Sequence, residues 1–132
     1  MIEYPLSQNM PPQKIKSKTG KSLEDINIKN ILEGNITADD IKISKETLIM
    51  QGEIASGAGR TQLKDNFLRA SELIEVPDSE LLEIYERLRP NRSTKNELLE
   101  IAKRLETKYG ANNCSKLVLD AIDVYEKRGL LK

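Results

Sequence analysis

From Ser44 to Pro90 the chain reads SKETLIMQGEIASGAGRTQLKDNFLRASELIEVPDSELLEIYERLRP, and this stretch decides the fold class. Leu63, Phe67, Ala70 and Ile74 recur at i, i+4, i+7 and i+11, the spacing that places side chains on one face of an α-helix. Arg60, Lys64, Arg69 and Glu72 fall largely off that face. The helix is expected to end near Val76, because Pro77 disfavours the α conformation in the residue before it. Pro77 then suits the opening of the next helix, whose first N–H groups have no intrahelical partner anyway. Leu81, Ile84, Tyr85 and Leu88 give that helix an apolar face, and Pro90 closes it. On the other side, Ser44 is placed to cap a helix over 45–56. Gly57-Ala58-Gly59 separate it from the helix over 60–75, since glycine in a helix interior costs about 1 kcal/mol relative to alanine. Gly52 sits inside the earlier helix, where the missing side chain suits close approach of another backbone.

Downstream, Thr94 and Glu97 match a capping box. Leu98, Ile101, Ala102, Leu105 and Tyr109 mark a helix face that Gly110 ends, and Cys114, Leu117, Val118, Ala121, Ile122 and Tyr125 mark a last helix that Gly129 stops. Cys114 lies on that apolar stripe and reads as a small core residue, not a nucleophile. Upstream, Asn27 is an N-cap for a short helix ending before Gly34. Thr37 caps a single turn whose Asp39 and Asp40 suit the helix dipole, and Ile36, Ile41 and Ile43 are expected as buried anchors beside it. Residues 1–22 contain Pro5, Pro11 and Pro12 among Lys14, Lys16, Lys18 and Lys21, and have no helical period. The predicted class is all-α: several short-to-medium helices in an irregular bundle, with an extended N-terminal arm over 1–22 and a helical domain over 23–132.

The composition narrows the chemistry. Among 132 residues 38% are hydrophobic, 4% aromatic and 32% charged, more charge than the roughly 25% of an average globular chain. Lysine and arginine total 21 against 21 acidic residues, for a formal net charge of zero, so neither nucleic acid nor an anionic membrane is an expected partner. No apolar run approaches a membrane span, and the N-terminus lacks the basic and apolar regions of a secretory signal. The single Cys114 excludes an internal disulfide and points to a reducing, intracellular setting. Histidine is absent, which removes His-based triads, His metal ligands and imidazole proton relays. Gly52 to Gly57 has the frame of a phosphate-binding P-loop, but Ala58 and Gly59 stand where Lys and Ser or Thr are required, and a helix precedes it instead of a strand. No catalytic, cofactor-binding or metal-binding residue is therefore assigned. An independent helical adaptor or a transcription-regulator domain fits the same composition.

The ordered text of the chain carries more. Tyr4-Pro5-Leu6, Thr19-Gly20-Lys21 with Leu23 and Asp25, and Ile36-Thr37-Ala38-Asp39-Asp40-Ile41 are followed by Ser44, Glu46-Thr47-Leu48, Ile54-Ala55 and Ala58-Gly59-Arg60. Then come Asn66-Phe67, Arg69-Ala70, Glu72-Leu73, Val76-Pro77-Asp78, Ile84-Tyr85, Leu88-Arg89-Pro90 and Arg92-Ser93-Thr94-Lys95. In this order and spacing, from Tyr4 to Lys132, the chain resembles the small (gamma) subunit of adenosylcobalamin-dependent glycerol and diol dehydratases.

The resemblance implies a holoenzyme of large (alpha), medium (beta) and small subunits, a dimer of heterotrimers that dehydrates glycerol or 1,2-propanediol to an aldehyde by radical chemistry. It implies adenosylcobalamin held at the other subunits, none on this chain, and a small subunit that packs on the large one without a catalytic residue. The residues agree: a chain without histidine has no Asp-x-His-x-x-Gly cobalamin motif, and 132 residues fall short of the about 250 of a (β/α)₈ barrel. The shared pattern starts at Tyr4, without the longer N-terminal extension that some diol dehydratase small subunits carry for packaging in bacterial microcompartments. The expectation is therefore the glycerol branch and a free complex in the bacterial cytoplasm. Tyr4, Pro5, Leu6, Ile15 and Phe67 are the candidate subunit-interface residues.

Overall fold

The computed structural model describes residues 2–132; Met1, the first residue of the expected arm, lies outside the described residues. In chain order the helices are α1 (Leu6–Asn9), α2 (Ile28–Leu32), α3 (Lys45–Gly57), α4 (Thr61–Leu73), α5 (Asp78–Arg87), α6 (Lys95–Tyr109) and α7 (Asn112–Arg128), with 3₁₀ turns at Pro12–Lys14, Leu23–Asp25 and Ala38–Ile41. No strand occurs among the described residues. β-pairing there is limited to isolated antiparallel bridges, Lys16 with Ser22 and Ser17 with Ile43. The fold is all-α, as the periodicity predicts. The chain divides into two compact units, Met1–Ser71 and Glu72–Lys132.

In the unit Glu72–Lys132 the core is built where the helical period places it. Leu98, Ile101 and Leu105 of α6 pack with Cys114, Val118 and Ile122 of α7, joined by Val76 and Ile84. Leu98 is only 1% exposed. Thr94 caps α6: its side chain accepts from Glu97 N, and the Glu97 carboxylate accepts from Thr94 N at 3.0 Å. Gly110 and Gly129 end α6 and α7 at φ 61° and 67°, a left-handed conformation that costs glycine nothing for want of a Cβ. Buried Ser115 donates to Ala102 O at 2.8 Å, and Tyr125 donates its hydroxyl to Leu88 O at 2.5 Å, satisfying a carbonyl at the end of α5. The last residues return to the α5–α6 connection: Asn91 N donates to Leu130 O at 2.7 Å and Lys132 N to Ser93 O at 2.9 Å.

In the unit Met1–Ser71, α4 doubles back along α3 through the turn at Gly59, whose φ is 79°. A Cβ on Gly52 would stand 3.4 Å from Phe67 Cβ and 3.6 Å from Lys64 O, so the close approach expected at Gly52 is present. Ser44 caps α3 by accepting from Thr47 N at 3.2 Å.

The apolar faces are only partly covered, and the burial expected of Ile41 and Ile43 is corrected. On α4 the stripe Leu63–Phe67–Ala70–Ile74 is not a buried face: Leu63 and Ala70 are exposed, Phe67 and Ile74 are half-buried, and Ser71 is the buried residue. Serine can occupy that place because its hydroxyl donates to Leu68 O at 2.7 Å, which leaves no unpaired donor inside. The helix also ends at Leu73, short of Val76. On α5, Ile84 is buried with Leu81 and Leu88 half-buried, while Tyr85 is 67% exposed; the face is narrower than the apolar spacing. On α7, Leu117 is likewise exposed. Around the Ala38–Ile41 turn, Ile36 is buried, but Ile41 is 62% exposed and Ile43 stands at the edge of exposure. The inward position belongs to Asp40, whose carboxylate accepts from Thr37 N at 2.8 Å and from Thr19 Oγ1 at 2.6 Å.

Candidate functional site

The unit Met1–Ser71 carries an open groove of about 660 Å³, within the roughly 300–1,000 Å³ of sites that take ligands or anchor residues. One wall comes from the N-terminal segment: Tyr4, Leu6, Ser7, Ile15 and Leu23. Helix α3 contributes Thr47, Gln51, Ile54 and Ala55, with Ala58 just beyond it. Arg60, Leu63 and Phe67 complete the lining from α4 and its approach. The surface is aliphatic and aromatic over most of its extent, with one full charge, the guanidinium of Arg60.

Local hydrogen bonds hold the N-terminal wall in place. Pro5 O accepts from Gln8 N, from Asn9 N and from the Asn9 side-chain amide, which turns the chain into α1 directly after the cis Tyr4–Pro5 bond. Leu23 N donates to Ile15 O at 3.1 Å, and Lys18 N to Lys42 O at 2.8 Å. Thr47 donates its hydroxyl to Lys16 O at 3.2 Å. Its oxygen is then left to accept from Ser44 Oγ at 2.9 Å, since each hydroxyl has one proton to give. The Thr19–Asp40 bond closes the same region. Donation from Thr19 first, then from Thr37 N, outweighs burial and holds the Asp40 carboxyl below the ordinary aspartate range.

Of the residues singled out from the sequence, Tyr4, Leu6, Ile15 and Phe67 line this one groove, and Pro5 stands half-buried beside it. Arg60, Leu23, Gln51 and Ile54 were not singled out as site residues. The Leu63–Phe67 spacing, which sets both on one face of α4, is the sequence signal for this wall.

Other polar clusters are ties between helices. In the second unit Glu80, its side chain 12% exposed, lies 3.4 Å from Arg104 and 4.0 Å from Lys108, and accepts from the Tyr109 hydroxyl. Glu72 accepts from Asn113 N, Asn113 Nδ2 and Cys114 N at the start of α7. Among the described residues no group of three or more His, Cys, Asp or Glu is placed to hold a metal ion, and no helix is long and apolar enough to cross a membrane.

The dehydratase small subunit family model matches residues 1–132. The propanediol dehydratase small subunit of Citrobacter freundii is 48% identical over 132 residues, covering 100% of this chain and 76% of its own length. That of Salmonella typhimurium is 48% identical over 130 residues, covering 98% of this chain and 75% of its own. The all-α chain, with its apolar groove, belongs to the dehydratase small-subunit family. It is a subunit of a lyase, not an independent adaptor or regulator.

Proposed function

We propose that this chain is the small subunit of an adenosylcobalamin-dependent diol dehydratase, joined to large and medium subunits in a dimer of heterotrimers in the bacterial cytoplasm, free or packaged in a microcompartment. It supports the large subunit and takes no part in the radical dehydration of glycerol or 1,2-propanediol to the aldehyde. The observation that carries this reading is 48% identity over the whole chain to propanediol dehydratase small subunits. The donor set supports the non-catalytic role. The chain has no histidine to ligate cobalt, and an apolar groove with a single cation does not fit the polar fringe of a corrin, so the cofactor is assigned to the other subunits. Residues 1–22 are proposed to serve as a docking arm with Tyr4, Pro5, Leu6, Ile15 and Phe67 at the interface with the large subunit.

The test is co-expression with the large and medium chains. Purified complex should release aldehyde from a diol only with cobalamin supplied, and turnover of glycerol against 1,2-propanediol assigns the substrate. The chain alone should show no turnover and no cobalamin retention in equilibrium dialysis. Retention by the isolated chain, or failure to co-purify with the large subunit, overturns the reading.

A further inference from the structure

We infer that the groove selects its occupant by charge as well as by shape: it takes a segment of the large subunit in which a bulky apolar side chain has an aspartate or glutamate beside it, and that carboxylate meets Arg60. The inference rests on the proposal that the groove docks on the large subunit, and it adds what that surface must present.

Three features of the groove lead there. Its lining contains no carboxylate, and Arg60 is its one full charge. The Arg60 side chain makes no ion pair or hydrogen bond among the described residues. Arg60 also directly precedes α4, whose first turn holds no acidic residue to offset the positive end of the helix dipole.

An occupant that was apolar throughout would cover the guanidinium and strip its water without replacing it, which penalises binding. A basic occupant would add repulsion. A carboxylate removes both penalties, and its two oxygens match the planar fork of arginine. The apolar part of the occupant fills the space between Leu63, Phe67 and Ile54, while Thr47 offers it little, its hydroxyl already engaged with Lys16 O and Ser44.

The test uses the full chain with its large and medium subunits. Arg60 is exposed, so Arg60→Lys should leave the melting temperature of the free chain unchanged, and Arg60→Glu, which places a negative charge at the start of α4, should hold or raise it. Arg60→Glu should weaken binding to the large subunit by about tenfold or more, with Arg60→Lys recovering most of the loss. In parallel, p-benzoylphenylalanine at Leu63 should cross-link to a large-subunit peptide with an acidic residue next to a large apolar one. Replacing that acid by lysine should restore binding of Arg60→Glu. Equal affinity of Arg60→Glu and the unaltered chain, or a cross-linked peptide without an acid, overturns charge selection while docking stands. A cross-link only to a second copy of this chain overturns it as well. Absence of any complex with the unaltered chain sinks docking itself, and this inference with it.

Discussion

Glu72 reaches from the end of α4 to the first turn of α7, where its oxygens accept from Cys114 N at 2.8 Å, Asn113 N at 3.1 Å and Asn113 Nδ2 at 2.6 Å. Helix α7 lacks a cap of its own: the residue before it is Ala111, and no acidic residue stands in its first turn. Burial alone would raise the Glu72 carboxyl above its ordinary value, but the N–H donors of Cys114 and Asn113 outweigh it and hold it below the ordinary glutamate range. A depressed carboxyl stabilises the fold fully above its unfolded pKa and loses that contribution as pH falls through the lower folded value. Glu72→Gln is therefore expected to cost about 1 kcal/mol at neutral pH, as other N-caps do. The gap from the unaltered chain should narrow as pH falls from the ordinary glutamate range through the lower folded value. Urea unfolding of both proteins across that range checks it, and a gap independent of pH would show that the charge of Glu72 is idle. A larger loss belongs to Leu105, 2% exposed in the core: Leu105→Ala should cost about 2–5 kcal/mol, read from the same unfolding curves at neutral pH.

Helices α3 and α4 meet at a glycine, and the space there is graded. A Cβ at Gly52 finds Phe67 Cβ at 3.4 Å and Lys64 Cγ at 3.6 Å, ordinary van der Waals contact. Gly52→Ala should leave melting temperature equal or raised, since alanine gains up to about 1 kcal/mol of helix propensity over glycine. Gly52→Leu should lower it, because a branched chain has to push α4 away and spoil the groove wall; a leucine variant as stable as the parent would mean that the two helices separate freely. The elements themselves were legible where termination is chemical. Ser44, Thr94, Gly110 and Gly129 act through their own backbone and side chains, so their positions could be read from neighbouring residues. The short N-terminal elements were not. Helix α1 and the turn at Pro12–Lys14 precede a segment held by distant partners, Lys16 O by Thr47 and Thr19 by Asp40, which a local window does not contain. Exposure is the least local property. Ile41 and Asp40 are neighbours in one 3₁₀ turn, and the acid lies inside because Thr19 and Thr37 satisfy it, a pairing across 21 residues that periodicity is blind to. For the groove, the sequence points to Tyr4, Leu6, Ile15 and Phe67 of the aromatic and aliphatic wall but not to Leu23, Ile54 or Arg60, which no local pattern brings together.

Across the molecule, large apolar side chains stay uncovered in both units. Ile28, Ile31 and Leu32 lie exposed on α2, Leu32 at 83%, and Leu82 and Tyr85 are exposed on α5. Patches of this kind mark interaction surfaces, and a formal net charge of zero offers little repulsion between free copies. The isolated chain is therefore predicted to bind anilinonaphthalene sulfonate and to scatter light as its concentration rises. Both signals should fall when it is purified with the large and medium subunits; dye binding unchanged in the complex would leave these side chains without a covering partner. The return of Leu130 and Lys132 to Asn91 and Ser93 has a consequence for synthesis. Domains generally fold as units during translation, the N-terminal one first. The bonds from Asn91 to Leu130 and from Lys132 to Ser93 cannot form on the ribosome until Leu130 and Lys132 have emerged, whereas every residue that lines the groove is out once Phe67 has left the tunnel. If the groove docks as proposed, nascent chains arrested before Leu130 should already bind the large subunit while the Asn91 amide still exchanges with water, and ribosome-bound chains that fail to bind it would place assembly after release.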